Sequence, residues 1–137
     1  MKKSLLAVMI LGIALFTGWQ SMAQNPQTKS DKLKQFMRQK LEHSKGLLEG
    51  ITLNEADKIA QHSKALSLLS MESSWNVLTT EKYIEMSSSF RKAADAINKA
   101  GKEEDYDRAA LSYFDLTLRC MECHKYMREK PAPATKP

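Results

Sequence analysis

The chain has 137 residues, two cysteines and a formal net charge of +5. That length suits one small domain. Its lysines and arginines are interleaved with acids rather than gathered in a block, which argues against a nucleic-acid binder.

The first stretch is a targeting pattern. Met1-Lys2-Lys3-Ser4 is a short basic region, Leu5 to Phe16 is apolar, and Ser21-Met22-Ala23 is a small-residue site. Together they have the layout of a secretory signal peptide, so residues 1–23 are expected to be cleaved after Ala23. The apolar run is too short for the ~20 residues that a helix needs to cross a bilayer, and an uncleaved anchor is the weaker alternative. Cleavage leaves 114 residues, and the loss of two lysines lowers the net charge to +3. The mature chain is expected to be periplasmic and not membrane-spanning.

Residues 24–30 read as a polar lead-in to a domain over 31–130. Ser30-Asp31 is a helix start. Leu33, Met37, Leu41, Ser44, Leu48 and Ile51 then recur at steps of three and four, the period of one helical face. Phe36, Lys40 and Leu47 flank that stripe. Gly50 serves as a stop signal, giving a first helix over about 31–49. Thr52-Leu53-Asn54-Glu55 fits a capping box, with Asn54 as the other candidate cap. A second helix follows, with Ile59, Leu66 and Leu69, and fades in the polar patch 72–74. Trp75, Val77 and Leu78 form an apolar crossing that should cover one end of a core.

Thr80 caps a third helix that carries Tyr83, Met86, Phe90 and Ile97 and ends near Gly101. Asp105 caps a fourth, with Ala109, Ala110, Tyr113, Phe114, Thr117, Leu118 and Met121 on its expected inner side. Pro131 and Pro133 end it, and 131–137 reads as a disordered tail. Four amphipathic helices, with no strand alternation and no internal repeat, predict an all-α antiparallel four-helix bundle.

The fourth helix contains Cys120-Met121-Glu122-Cys123-His124. Cys-x-x-Cys-His is the attachment signature of a c-type haem. On a helix the three ligating residues share one face. Both thiols can then bond one porphyrin, and the adjacent imidazole can reach its iron. One covalent haem c, held through thioethers to Cys120 and Cys123 with His124 as an axial ligand, is therefore expected. A zinc site would need two further ligands, which only His43 and His62 could supply. A thioredoxin-like pair would need a βαβ setting, and a disulfide between cysteines three apart on a helix would be strained. No paired carboxylates or nucleophile–base set accompanies the motif, so an enzyme is not expected.

With the helix order, the motif on the last helix and a basic residue four after the histidine (Arg128), the chain resembles the class II c-type cytochromes, which include cytochrome c′ and cytochrome c556 types. The resemblance spans about Asp31 to Arg128. It implies a sixth iron ligand, or an apolar side chain in its place, from the first helix. Met37 is the distal candidate. The alternatives are a core methionine at Met37, or Leu41 as the distal residue. Where the family has an arginine four residues before the distal residue, this chain has Leu33, with Lys34 beside it; Arg38 follows Met37 instead. Met121 and Met127 belong to the proximal helix, and Met71 and Met86 read as packing residues. His43 and His62 read as surface or hydrogen-bonded histidines, with bis-histidine ligation the weaker reading.

Candidate haem-pocket contacts are Phe36, Lys40, Leu41, Arg38, Thr117 and Arg128, with Tyr113 and Phe114 expected near the porphyrin edge. Lys34, Arg38, Lys40 and Arg128 could pair with propionates, although a solvated helix face competes for each. Two functions follow. One is a periplasmic electron carrier with His124/Met37 ligation, serving periplasmic redox proteins as a monomer or homodimer. The other is a five-coordinate, cytochrome c′-like protein that binds NO or CO.

Overall fold

A computed structural model describes residues 29–72 and 75–129. The expected signal segment, residues 24–28 of the lead-in and the tail 131–137 lie outside the described residues. Four helices account for nearly all of what is described: α1 (Lys29–Thr52), α2 (Ala56–Leu69), α3 (Glu81–Lys102) and α4 (Tyr106–Glu129). No strand occurs among the described residues. Each helix packs on the next and α4 returns to α1, the loosest of the four seams. This is the neighbour pattern of an up-and-down four-helix bundle. No helix of the described residues is long and apolar enough to cross a membrane.

The expected helix starts at Thr80 and Asp105 hold. Thr80 Oγ1 accepts from the Tyr83 amide at 3.3 Å, and Asp105 Oδ1 accepts from the Arg108 amide at 3.0 Å. The start of α2 differs from expectation. Its N-cap is Glu55, whose side chain makes no capping hydrogen bond, and Asn54 takes a left-handed φ of 57° instead.

The reason lies at the end of α1. The Glu55 amide donates to Gly50 O at 2.8 Å and the Asn54 amide to Ile51 O at 3.4 Å. That pair of bonds is a Schellman ending with Asn54 in the left-handed position. The same device closes α3. The Asp105 and Glu104 amides donate to Ala100 O and Gly101 O, and Glu104 has φ 54°.

Gly50 is therefore not the stop signal expected of it, and both it and Gly101 lie inside their helices, although α3 does end near Gly101, at Lys102. A Cβ on Gly101 would stand 2.5 Å from Ile59 Cγ2, and one on Gly50 would stand 3.1 Å from Ile59 Cγ1. These glycines let α1 and α3 close on the fully buried Ile59 of α2. Gly46 does the same for His62, whose ring would lie 2.3 Å from an added Cβ.

The core holds Phe36, Leu47, Ile51, Ile59, Leu66, Trp75, Tyr83, Met86, Phe90, Ile97 and Leu116. On α1 the core draws on both the expected stripe, through Ile51, and its flank. Phe36 and Leu47 are buried, whereas Leu41 and Leu48 are half exposed, Leu41 towards the loose α1–α4 seam. On α4 the buried residues are Ala109 and Leu116, while Ala110, Phe114, Thr117, Leu118 and Met121 are exposed. Both helices carry two apolar stripes, and neighbours on only one side decide which becomes core. Met71 follows the end of α2 and is also exposed rather than packed.

Trp75 covers one end of the core as expected. Its Nε1 donates to Ser87 Oγ at 2.7 Å, and Tyr83 Oη donates to its carbonyl. Asn98 Nδ2 reaches from α3 to Ala60 O at 2.8 Å and Ser63 Oγ at 3.0 Å on α2. Among the described residues no buried side-chain nitrogen or oxygen lacks a partner, as a well-formed core requires.

Candidate functional site

The end of the bundle under Trp75 encloses a cavity of about 210 Å³. Helix α4 contributes Arg119, Cys120, Cys123, His124 and Met127; α1 contributes Leu33, Met37 and Lys40. The remaining wall is Trp75, Val77, Tyr83, Met86 and Phe90. Cys120, Cys123 and His124 line one wall because they sit one turn apart on α4. Met37 faces them from the opposite helix.

Beyond Met37 and Lys40 the cavity gives way to an open groove of about 720 Å³ along the α1–α4 seam. Lys34, Arg38, Leu41 and Ser44 line this groove, and Leu33, Met37, Lys40, Cys120 and His124 line both spaces. The two spaces thus share a wall built from the sequence-predicted ligands. A flat group clasped by α4 could extend from the apolar cavity into the groove, where its polar edge would meet water and the basic side chains of Lys34 and Arg38.

Lys40 is the outlier in this lining. Its Nζ lies 3.6 Å from the centroid of the Trp75 ring and 4.5 Å from that of Phe90. A cation over an aromatic face is attractive, but burial among apolar groups disfavours the charge more. Desolvation therefore lowers the Lys40 ammonium to about 8, with partial relief from Cys120 and Cys123. Burial raises both thiols, against the pull of the Lys40 charge. It also lowers His124, and the charges of Lys40 and Arg128 push the same way. The thiols are thus kept protonated, and the imidazole is kept in the neutral form that ligates metals.

No family model, curated protein or solved structure matches this chain.

The structure brings together Cys120, Cys123, His124, Met37 and Lys40, and sets Leu41 and Arg38 in the adjoining groove. It does not bring in Phe36 or Thr117. Phe36 packs edge-on to Trp75 at 6.3 Å in the core. Thr117 is exposed, with its hydroxyl donating to Tyr113 O at 3.0 Å, and Phe114 points away from the site. Arg128 is near enough to act on His124 by charge without lining the cavity. His43 and His62 pair with each other, Nδ1 to Nδ1, at 2.9 Å.

Trp75, Met86, Phe90 and Arg119 were not singled out for this site by the sequence. The aromatics and Met86 carry the same apolar signal as any core residue. Arg119 is held by Asp115 and Glu122 in intrahelical pairs, a pattern that also reads as ordinary helix surface. Among the described residues no three His, Cys, Asp or Glu side chains gather so as to hold an ion. The two cysteines are free thiols.

Proposed function

We propose that this chain is an exported, monohaem c-type cytochrome of the class II kind that carries electrons between periplasmic redox proteins. The observation that carries this reading is the convergence of Cys120, Cys123, His124 and Met37 on one apolar cavity from two facing helices. The donor set suits the group: two thiols one turn apart for the vinyl carbons, an imidazole beside them for one side of the iron, and a thioether across the cavity for the other.

Bound haem would supply a one-electron iron centre, and Met/His ligation favours a raised potential. The chain's own residues do the rest. Trp75, Phe90, Met86 and Val77 exclude water from one side. The loose α1–α4 seam leaves an open edge for electron exchange, and Lys34 and Arg38 set positive charge along it. Lys40 must leave the Trp75 face when the cavity fills, and the groove is the direction its side chain can take.

The test is the absorption spectrum of the purified exported protein. Covalent haem that resists acid-acetone extraction, with the weak red-edge ferric band of methionine ligation, is the expected result. A Met37→Leu variant should lose that band and gain CO binding. A colourless protein would end the proposal. High-spin wild-type iron that already takes CO would replace electron transfer with gas binding at the same site.

A further inference from the structure

Helix α4 carries a second apolar stripe on its outer side. Leu111, Phe114, Leu118 and Met121 are between 42% and 73% exposed. Their steps of three, four and three form the seam that pairs one helix with another. At about 100° per residue this stripe lies roughly opposite Leu116 and about 100° or more from Cys120 and Cys123. None of its four residues lines the cavity; the nearest site residue is His124, one turn beyond Met121 and about 60° round the helix.

The pattern reads the same in both directions about residue 116. Leu111 and Met121 are equidistant from that centre, as are Phe114 and Leu118. The next positions outward are Asp107 and Lys125, both exposed and of opposite charge. Among the described residues neither has an ion-pair partner within the chain. Along one flank of the stripe Arg108, Asp115 and Glu122 follow at steps of seven, with the two opposite charges equidistant from Asp115.

From this symmetry we infer that the outer face of α4 is a homodimer interface in which α4 pairs antiparallel with α4 of a second copy. A two-fold axis near residue 116 sets Phe114 on Leu118 and Leu111 on Met121 of the other copy, each contact made twice, as an isologous interface requires. Asp107 then meets Lys125 at both ends; Arg108 and Glu122 approach each other along the rim, each already paired within its own chain, Arg108 with Glu103 and Asp105 and Glu122 with Arg119. Asp115 comes near its own counterpart, but Arg119 already neutralises it, with Nε and Nη2 at 3.1 Å and 2.7 Å from Oδ1. An unlike partner would have no reason to match a pattern that is its own reverse complement in charge. The contact is a single helix pair, at the small end of specific interfaces, so a dimer that forms and dissociates with concentration is expected.

Sedimentation velocity of the exported, full-length mature protein from about 1 µM to about 500 µM should show a reversible monomer–dimer equilibrium. Phe114→Glu, at an exposed position, should abolish the dimer while leaving the helical CD signal and melting temperature near wild type. Lys125→Asp should weaken association about tenfold by setting acid against Asp107. The double change Asp107→Lys/Lys125→Asp should restore it. Monomer at every concentration would overturn the inference, as would a dimer that survives Phe114→Glu. Failure of the double change to restore what the single change loses would overturn the antiparallel arrangement. None of these readouts depends on the prosthetic group, so they stand apart from the test of the cytochrome reading.

Discussion

At the scale of single residues, Lys40 is where the sequence and the packing pull hardest against each other. An ammonium lowered to about 8 in the folded chain meets an ordinary lysine in the unfolded one. Between these values the unfolded chain binds the extra proton, so stability must rise with pH from about 8 towards 10.5. Below 8 the full penalty is present; Lys40 alone accounts for about 3 kcal/mol. The measurement belongs to the chain without its prosthetic group, with both cysteines replaced by alanine, because thiols raised by burial titrate in the opposite sense over that range. Urea midpoints should climb between pH 8 and 10, and Lys40→Met should flatten the climb and raise stability at pH 7. A slope equal in both proteins would mean that the ammonium is solvated.

Met37 shows what could be read from sequence and what could not. Its place across from Cys120, Cys123 and His124 is what the resemblance to class II cytochromes implies, and it does line their cavity. Which apolar stripe of α1 faces inward does not follow, since Leu33-Met37-Leu41-Ser44-Leu48 and Phe36-Lys40-Leu47 are both helical stripes. Burial of Phe36 and Leu47 against α2 and Trp75 decided it. Leu41 was left to the open seam, where a bound group would give it a neighbour.

At the scale of the element, the helix ends are the places where local rules and tertiary packing disagree. A glycine near the end of an amphipathic pattern is ordinarily the left-handed residue after the helix. Here that conformation falls to Asn54 and Glu104, because Gly50 and Gly101 are needed where Ile59 presses on the backbone. Glutamate is a poor occupant of left-handed space. Glu104→Gly should therefore stabilise the fold by about 1 kcal/mol, read from the chemical-denaturation midpoint. Gly101→Ala should do the reverse, by about 1–3 kcal/mol, since its new Cβ meets both Cγ2 and Cβ of a fully buried side chain. The pair separates backbone conformation from close approach, and equal behaviour of the two would refute the distinction. The Thr80 and Asp105 caps were legible because they need only local chemistry. The inner face of α4 was not, because the helix offers two apolar stripes of equal period.

At the scale of the whole molecule, the crossing between α2 and α3 closes the end of the bundle that holds the cavity. Trp75 is fixed there by Ser87 and by Tyr83, two α3 side chains a turn apart. Ser87→Ala would orphan the buried indole N–H and should cost about 1–3 kcal/mol. The same change should loosen the cavity roof, seen as faster amide exchange across residues 75–78. Unchanged exchange there would place the roof's rigidity elsewhere.

The fixed position of Trp75 has an optical consequence. The sequence holds two tryptophans, Trp19 and Trp75, so removal of residues 1–23 would leave a single tryptophan, and it forms a wall of the cavity. A porphyrin seated against it would quench its emission almost completely by energy transfer, whereas the chain with its cavity unfilled should glow under ultraviolet excitation. Loading of such a group into the purified chain could then be followed in real time, with no label added.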